Sequence, residues 1–230
     1  MNIYSITIVP IILILCLILV KISVLNIPKN LKNKNIYKLQ SFKFFIKTKK
    51  NILLIILIGS ILQATHAMYY GYSTITWEKK GISLSNIGML WAFAIISEIL
   101  IFMTIDYFFK NSYLNKSLLF CSLITFIRWI LTYYVENFYF LLIIQTLHGV
   151  TFALTHYIMI FYINIYLKES LRLYAQTVYY VLTGGLFITI FSISCGYITS
   201  YSKGDEGYLL MSFVAFLSFL YLIMRGKAYV

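Results

Sequence analysis

Three ionisable side chains of this chain stand where such groups are costly. Glu98 lies twelve residues before Lys110, Arg128 twelve after Lys116 and His156 twelve before Lys168, each inside an apolar run. At about 1.5 Å rise per residue, twelve residues span about 18 Å, near the middle of a hydrocarbon core about 30 Å thick. Charges at that depth pair, face a bundle interior and mark an ion or substrate path. The chemistry expected is proton exchange coupled to solute movement. Glu98 and Arg128 occupy consecutive runs joined by a short loop, so their side chains are expected to meet at equal depth. Two readings stay open: a titratable carboxyl governed by its arginine partner, or a static pair that fixes packing.

His156 shares its run with Gln145, His148 and Phe152, and at 100° per residue the four fall within an arc of about 80°. Histidine titrates near neutrality and relays protons; it also serves as an interhelical hydrogen-bonding group. The eight-residue spacing of the two histidines, with no carboxylate on their stripe, argues against a metal site, and no metal or cofactor is expected. A second stripe holds Gln63, His66 and Tyr70, and a weaker one Gln176, Tyr180 and Thr183. Amides and aromatic rings suit an organic solute, so Gln63, His66, Tyr70, Gln145, His148 and Gln176 are the candidate solute-binding residues. Structural readings accompany several others. Trp77 and the Tyr69–Tyr70 pair read as interfacial aromatics. Gly184–Gly185 reads as a point of close helix packing or a bend, with close packing favoured. Asp106 reads as a partner of Lys110 or a cap of the inner end. No P-loop, nucleophile elbow, HExxH or GxGxxG motif occurs, so ATP-driven transport and common enzyme chemistry find no support.

The elements that must position these groups are membrane helices. The 230 residues are 61% hydrophobic and 11% charged, with a mean hydropathy of +0.85. A soluble domain is nearer 45–50% apolar and about 25% charged. Runs long enough to span appear at Ile3–Val24, Asn51–Tyr72, Ser85–Phe109, Ser117–Tyr134, Phe138–Leu167, Tyr174–Thr199 and Tyr208–Met224. Cys16, Cys121 and Cys195 lie in different runs and read as small buried hydrophobes. The net charge of +12 is concentrated in loops, which argues for topology rather than nucleic acid. Lys29–Lys50 holds eight lysines and no acid. With that block cytoplasmic, fourteen Lys/Arg fall inside and three, Lys79, Lys80 and Lys203, outside. The expected protein is multi-pass in a bacterial inner membrane, with its N-terminus outside and C-terminus cytoplasmic. Its expected organisation is an isolated helix over 1–25, a basic linker over 26–50 and a six-helix block over 51–230.

The stretch 62–101, LQATHAMYYGYSTITWEKKGISLSNIGMLWAFAIISEILI, resembles the seventh and eighth helices of a subfamily of the major facilitator superfamily. That subfamily holds phenylpropionate transporters and is related to the lactose and nucleoside proton symporters. Its pattern is close to LQxxHAxYYGFSxIYWxxxGxSxxxIGxLWxxGVxxEIxxF. His66, Ala67, Tyr69, Tyr70, Gly71, Trp77, Gly81, Gly88, Leu90, Trp91 and Glu98 fall on it. Arg128–Trp129 matches the family's ninth helix. Gln145, His148, Thr151, Phe152 and His156 match its tenth, and Gln176, Tyr179 and Gly184–Gly185 its eleventh.

The resemblance implies an all-α integral membrane protein with seven transmembrane helices, the last six forming the C-terminal bundle of a twelve-helix fold. It implies a proton-coupled importer of a small organic solute, not an enzyme, working by alternating access. The proton-coupling candidates it points to are Glu98, Arg128 and His156. In the lactose branch a second carboxyl follows the tenth-helix histidine by one turn; Met159 stands there in this chain. The chain is expected to be a truncated or split transporter half, inactive alone, whose partners are the bilayer, a proton, the solute, and a separate N-terminal half or second copy. The competing readings are a non-transporting helix bundle or assembly partner, and an intramembrane enzyme using its histidines.

Overall fold

Among the described residues, six long helices hold the polar side chains of the apolar runs. The computed structural model describes residues 50–108, 114–202 and 204–225. The first expected helix, the basic linker, Lys110, Lys203 and Lys227 lie outside them. The helices long and apolar enough to cross a membrane are α1 (Lys50–Lys79), α2 (Leu84–Tyr107), α3 (Lys116–Tyr134), α4 (Phe138–Tyr166), α5 (Glu169–Tyr201) and α6 (Glu206–Arg225). Among the described residues there is no β-strand. This all-helical form follows from the lipid setting, where backbone N–H and C=O groups must be satisfied within the segment.

Local sequence sets where the helices begin, end and deform. Asn137 caps α4, its side chain accepting from the backbone N–H of Tyr139 (2.9 Å) and Phe140 (3.3 Å). At the end of α1, Ile82 N–H donates to Trp77 O and Gly81 N–H to Glu78 O, a Schellman closure. It needs Gly81 at φ +82°, which L side chains rarely adopt. Within α1 the α-helix breaks at Thr65–His66. There Thr65 Oγ1 turns back to donate to Leu62 O (2.7 Å), and His66 N–H takes the tighter bond to Gln63 O. Helices α4 and α5 each contain a π-helical turn, Gly149–Leu154 and Val181–Phe187. Such widened turns concentrate at functional sites.

Packing places a polar layer between two apolar cores. One core takes Ile55, Ile56 and Leu62 of α1, Cys121 of α3, Ile158, Met159 and Tyr162 of α4, and Ala215 of α6. The other takes Met68, Tyr69 and Trp77 of α1, Leu90 of α2, Trp129 of α3, Leu141 of α4, and Tyr208 and Met211 of α6. Between them along α1, α3 and α4 lie buried Gln63, Thr65, His66, Thr125, Arg128, Gln145, His148, Thr151 and Thr155. Helix α6 packs along α3, and α2 along α4. The first part of α1 lies against α3, α4 and α5. α1 is the central helix, with 78% of its most apolar window buried, against 6% for α5.

Several side chains differ from their sequence expectation. Tyr69 and Trp77 are fully buried core aromatics and not interfacial ones, because the break at residues 65–66 turns this part of α1 into the bundle. Gly184 and Gly185 are not a point of close packing. A Cβ on either would meet nothing within 4 Å, and both sit in the π-helical turn of α5. The close approaches are elsewhere, at Gly149 against Ser97 of α2 and at Gly59 against Met159 of α4. Met159 is thus a buried packing residue. Asp106 accepts a hydrogen bond from Tyr157 (2.9 Å). Cys121 and Cys195 are buried free thiols.

Candidate functional site

Arg128 is the centre of the polar layer, with a relative exposure of 0%. A guanidinium offers five N–H donors and no acceptor. Its NH1 donates to His148 Nδ1 at 2.7 Å and Thr151 Oγ1 at 2.8 Å, with His66 Nε2 at 3.3 Å. Its NH2 donates to Gln145 Oε1 at 3.1 Å. The guanidinium carbon also lies 5.0 Å from the Tyr69 ring centroid and 4.5 Å from that of Trp129. Cation–π contact and four polar neighbours keep a full charge in the bundle interior.

The acidic partner reaches Arg128 through an imidazole. Glu98 Oε1 lies 2.7 Å from His148 Nε2, and among the described residues no ion pair joins Glu98 directly to Arg128. The expected Glu98–Arg128 contact is therefore bridged by His148. The cause is the close approach of α2 and α4. Gly149 N–H donates to Ser97 Oγ at 2.8 Å, and a Cβ on Gly149 would lie 2.5 Å from Ser97 O. Only a glycine brings the helices this near, and it sets Glu98 beside His148. Glu98 is the exposed end of the array, with 21% of its side chain accessible.

The break in α1 positions the second histidine. His66 Nδ1 donates to the Gln63 carbonyl at 2.9 Å, and its Nε2 receives the Thr151 hydroxyl at 3.2 Å. Thr65, freed by the same break, accepts from Trp129 Nε1 at 3.0 Å and ties α1 to α3. Tyr70 is half-exposed and stacks against His66 and Trp91. The rings of His66, His148 and Phe152 pack within 5.6 Å of one another.

Of the candidate residues, His66, Glu98, Arg128, Gln145 and His148 are joined by hydrogen bonds or ion pairs, and Tyr70 borders them. Gln63 contributes its backbone carbonyl to His66, while its side chain donates to Phe152 O at 2.9 Å. His156 does not join Glu98 and Arg128 as its depth suggested. It faces α5, its Nδ1 3.4 Å from Tyr179 OH and its ring 5.9 Å from that of Tyr180. The π-helical turn lies between His148 and His156, and its wider turn rotates His156 off the face carried by His148. Gln176 is half-buried on α5, and no hydrogen bond links it to Arg128 or its neighbours. Thr151, Tyr69, Trp129 and Ser97 were not among the candidates. Thr151 stands three residues from His148, one helical turn on the same face, which is the signal that could have found it. Among the described residues no three His, Cys, Asp or Glu side chains gather as a metal site.

Donors beside Arg128 lack an acceptor in the protein. Arg128 Nε and Gln145 Nε2 are buried and unpartnered. Their residues touch one another, and Gln63 Oε1 and the Tyr69 hydroxyl are also buried without a partner, so the layer holds unmet donors beside Arg128 and an unmet acceptor at Gln63. An acceptor-rich group, such as a carboxylate, suits the donors beside Arg128.

At one end of the bundle, Lys80 pairs with Asp205 at 2.5 Å and donates to Tyr133 O at 3.2 Å. A pocket of about 390 Å³ opens there, lined by Lys79, Glu136 and Glu206 among others.

The sequence matches the family described as the MFS_1 like family over residues 1–210. It is similar to the probable 3-phenylpropionic acid transporter of Escherichia coli (strain K12), with 31% identity over 156 residues. That match covers 67% of this chain and 40% of the relative, so it spans two-fifths of the relative's length. No solved structure matches at a significant level.

Proposed function

The chain belongs to the MFS_1 like family of the major facilitator superfamily, as a phenylpropionate-transporter-like, multi-pass membrane protein, and from that premise we propose that it is part of a proton-coupled importer of a small organic anion. The observation that carries this reading is the fully buried Arg128, whose Nε and the neighbouring Gln145 Nε2 have no acceptor in the protein. A solute carboxylate would supply the two acceptors that Arg128 Nε and Gln145 Nε2 lack, and the planar guanidinium would bind it bidentately. Tyr70, Trp91 and Phe152 border the layer and would take the apolar body of the solute. Glu98, linked to Arg128 through His148, would answer for the proton.

The described helices would supply one wall of the path. The other wall would come from a further six-helix segment, in the same or a separate polypeptide. Alternating access moves two such halves about a central site. On this reading the protein sits in a bacterial inner membrane with the Lys80–Asp205 end outside, and it carries out no covalent chemistry.

Uptake of 3-phenylpropionate tests the reading. It is measured in cells expressing the chain alone, or together with the N-terminal half of the Escherichia coli relative. Protonophore-sensitive uptake is expected in the second case only, with a loss of at least about 100-fold in Arg128→Gln, as for removal of a buried bidentate anion contact. Robust uptake by the chain alone would overturn the half-site reading. Uptake unaffected by Arg128→Gln would overturn the site.

A further inference from the structure

The hydrogen bonds of the polar layer fix the tautomer of each histidine. A backbone carbonyl only accepts, so His66 carries its hydrogen on Nδ1, toward Gln63 O, and presents Nε2 as an acceptor. A guanidinium only donates, so His148 accepts at Nδ1 and carries its hydrogen on Nε2, donated to Glu98. The two imidazoles are therefore opposite tautomers, both neutral. A second proton on His148 has one place to go, Nδ1, and Arg128 NH1 occupies it at 2.7 Å.

We propose that Arg128 is a proton switch: a monovalent organic anion that draws the guanidinium onto itself frees His148 Nδ1, and one proton enters on that nitrogen with each anion. This rests on the preceding reading of the site as an anion path. Charge balance supplies the reason. At rest the layer holds Arg128 as a cation and Glu98 as an anion, with His66, His148, Tyr69 and Tyr70 neutral, for a net charge of zero. An anion alone would leave one negative charge between two apolar cores, an arrangement that low-dielectric surroundings penalise heavily. A proton taken from the aqueous side by His148 Nδ1 restores zero. The layer then holds two pairs, Arg128 with the solute carboxylate and His148 with Glu98. When the anion leaves, Arg128 returns to Nδ1 and the proton departs to water. No bond other than N–H forms or breaks.

The groups facing His148 are Arg128 from α3, Glu98 from α2, His66, Tyr69 and Tyr70 from α1, and Gln145, Thr151 and Phe152 from its own helix. Arg128 alone among them blocks Nδ1. His156, turned toward Tyr179, takes no part.

Nitrogen-15 NMR of the histidine rings, with the full chain in lipid nanodiscs, reads this switch directly. Near pH 7 the resting protein should show His148 neutral with its hydrogen on Nε2. A cationic His148 at rest would overturn the proposal. In Arg128→Gln, His148 should become doubly protonated while His66 keeps its Nδ1–H signature, which also reports that the variant is folded. A neutral His148 in a folded variant would overturn it. In the unmodified chain, 3-phenylpropionate should convert His148 to the cation, with uptake of about one proton per anion in a weakly buffered titration. Anion binding without proton uptake would sink the switch. If 3-phenylpropionate does not bind, the anion-path reading fails, and the resting tautomer and Arg128→Gln still decide whether Arg128 controls His148.

Discussion

His148 is the residue through which the layer's charges act on one another. It accepts from Arg128 on one ring nitrogen and donates to Glu98 from the other. Neutralising Glu98 or Arg128 therefore changes the same imidazole from opposite sides. The expected outcome is a thermodynamic coupling of about 0.5–3 kcal/mol between Glu98→Gln and Arg128→Gln, measured by thermal unfolding in detergent. In a His148→Phe background, which keeps a planar ring without nitrogens, that coupling should fall close to zero. A coupling that survives would mean Glu98 and Arg128 interact directly. The sequence placed both charges at mid-depth because depth follows from residue count and rise alone. It grouped His156 with them, and not the His148 that stands between them, because residue count says little about the direction a side chain faces around its helix. That angle depends on the π-helical turn, and nothing in the sequence pattern marks where a widened turn will form.

At the scale of the helix, the site depends on one close crossing. Ser97 and Gly149 hold α2 against α4, and their neighbours Glu98 and His148 meet as a result. Gly149→Ala would drive a Cβ into the Ser97 carbonyl, a backbone atom that cannot swing aside. It should cost about 1–3 kcal/mol, the usual range for overpacking, and should break the Glu98–His148 contact. Gly185→Ala is the control. Its Cβ has open space, so stability should stay the same or rise by up to about 1 kcal/mol. Equal losses in the two variants would show that the Gly149 crossing has no special role. Both glycines sit in apolar helices and look alike in sequence. What separates them is the backbone they face, a tertiary fact. The six helices among the described residues were legible, because length and hydropathy suffice to mark a spanning segment. The break at Thr65–His66 was not, since Thr and His carry no strong breaking signal; its cause is the local bonding of Thr65 to Leu62.

For the whole molecule, charge distribution sets direction in the bilayer. Glu136 and Glu169 are exposed residues flanking the two ends of α4. The Glu136 end also carries Lys79, Lys80, Asp205 and Glu206, where acids offset bases. The Glu169 end lies beside Lys168 and Arg172, and the remaining loops of that side are basic. With Lys/Arg retained on the cytoplasmic side, the expected orientation has Glu136 outside and Glu169 inside. The opposite insertion would place fourteen Lys/Arg outside and leave three inside. A membrane-impermeant maleimide separates the two. Cys121 and Cys195 are buried and unreactive in principle, but all three native cysteines are best replaced by serine or alanine first. In intact cells a cysteine at position 136 should label fully. One at position 169 should label only after the membrane is opened. The reverse pattern would invert the bundle, and with it the side from which a solute first meets Glu98.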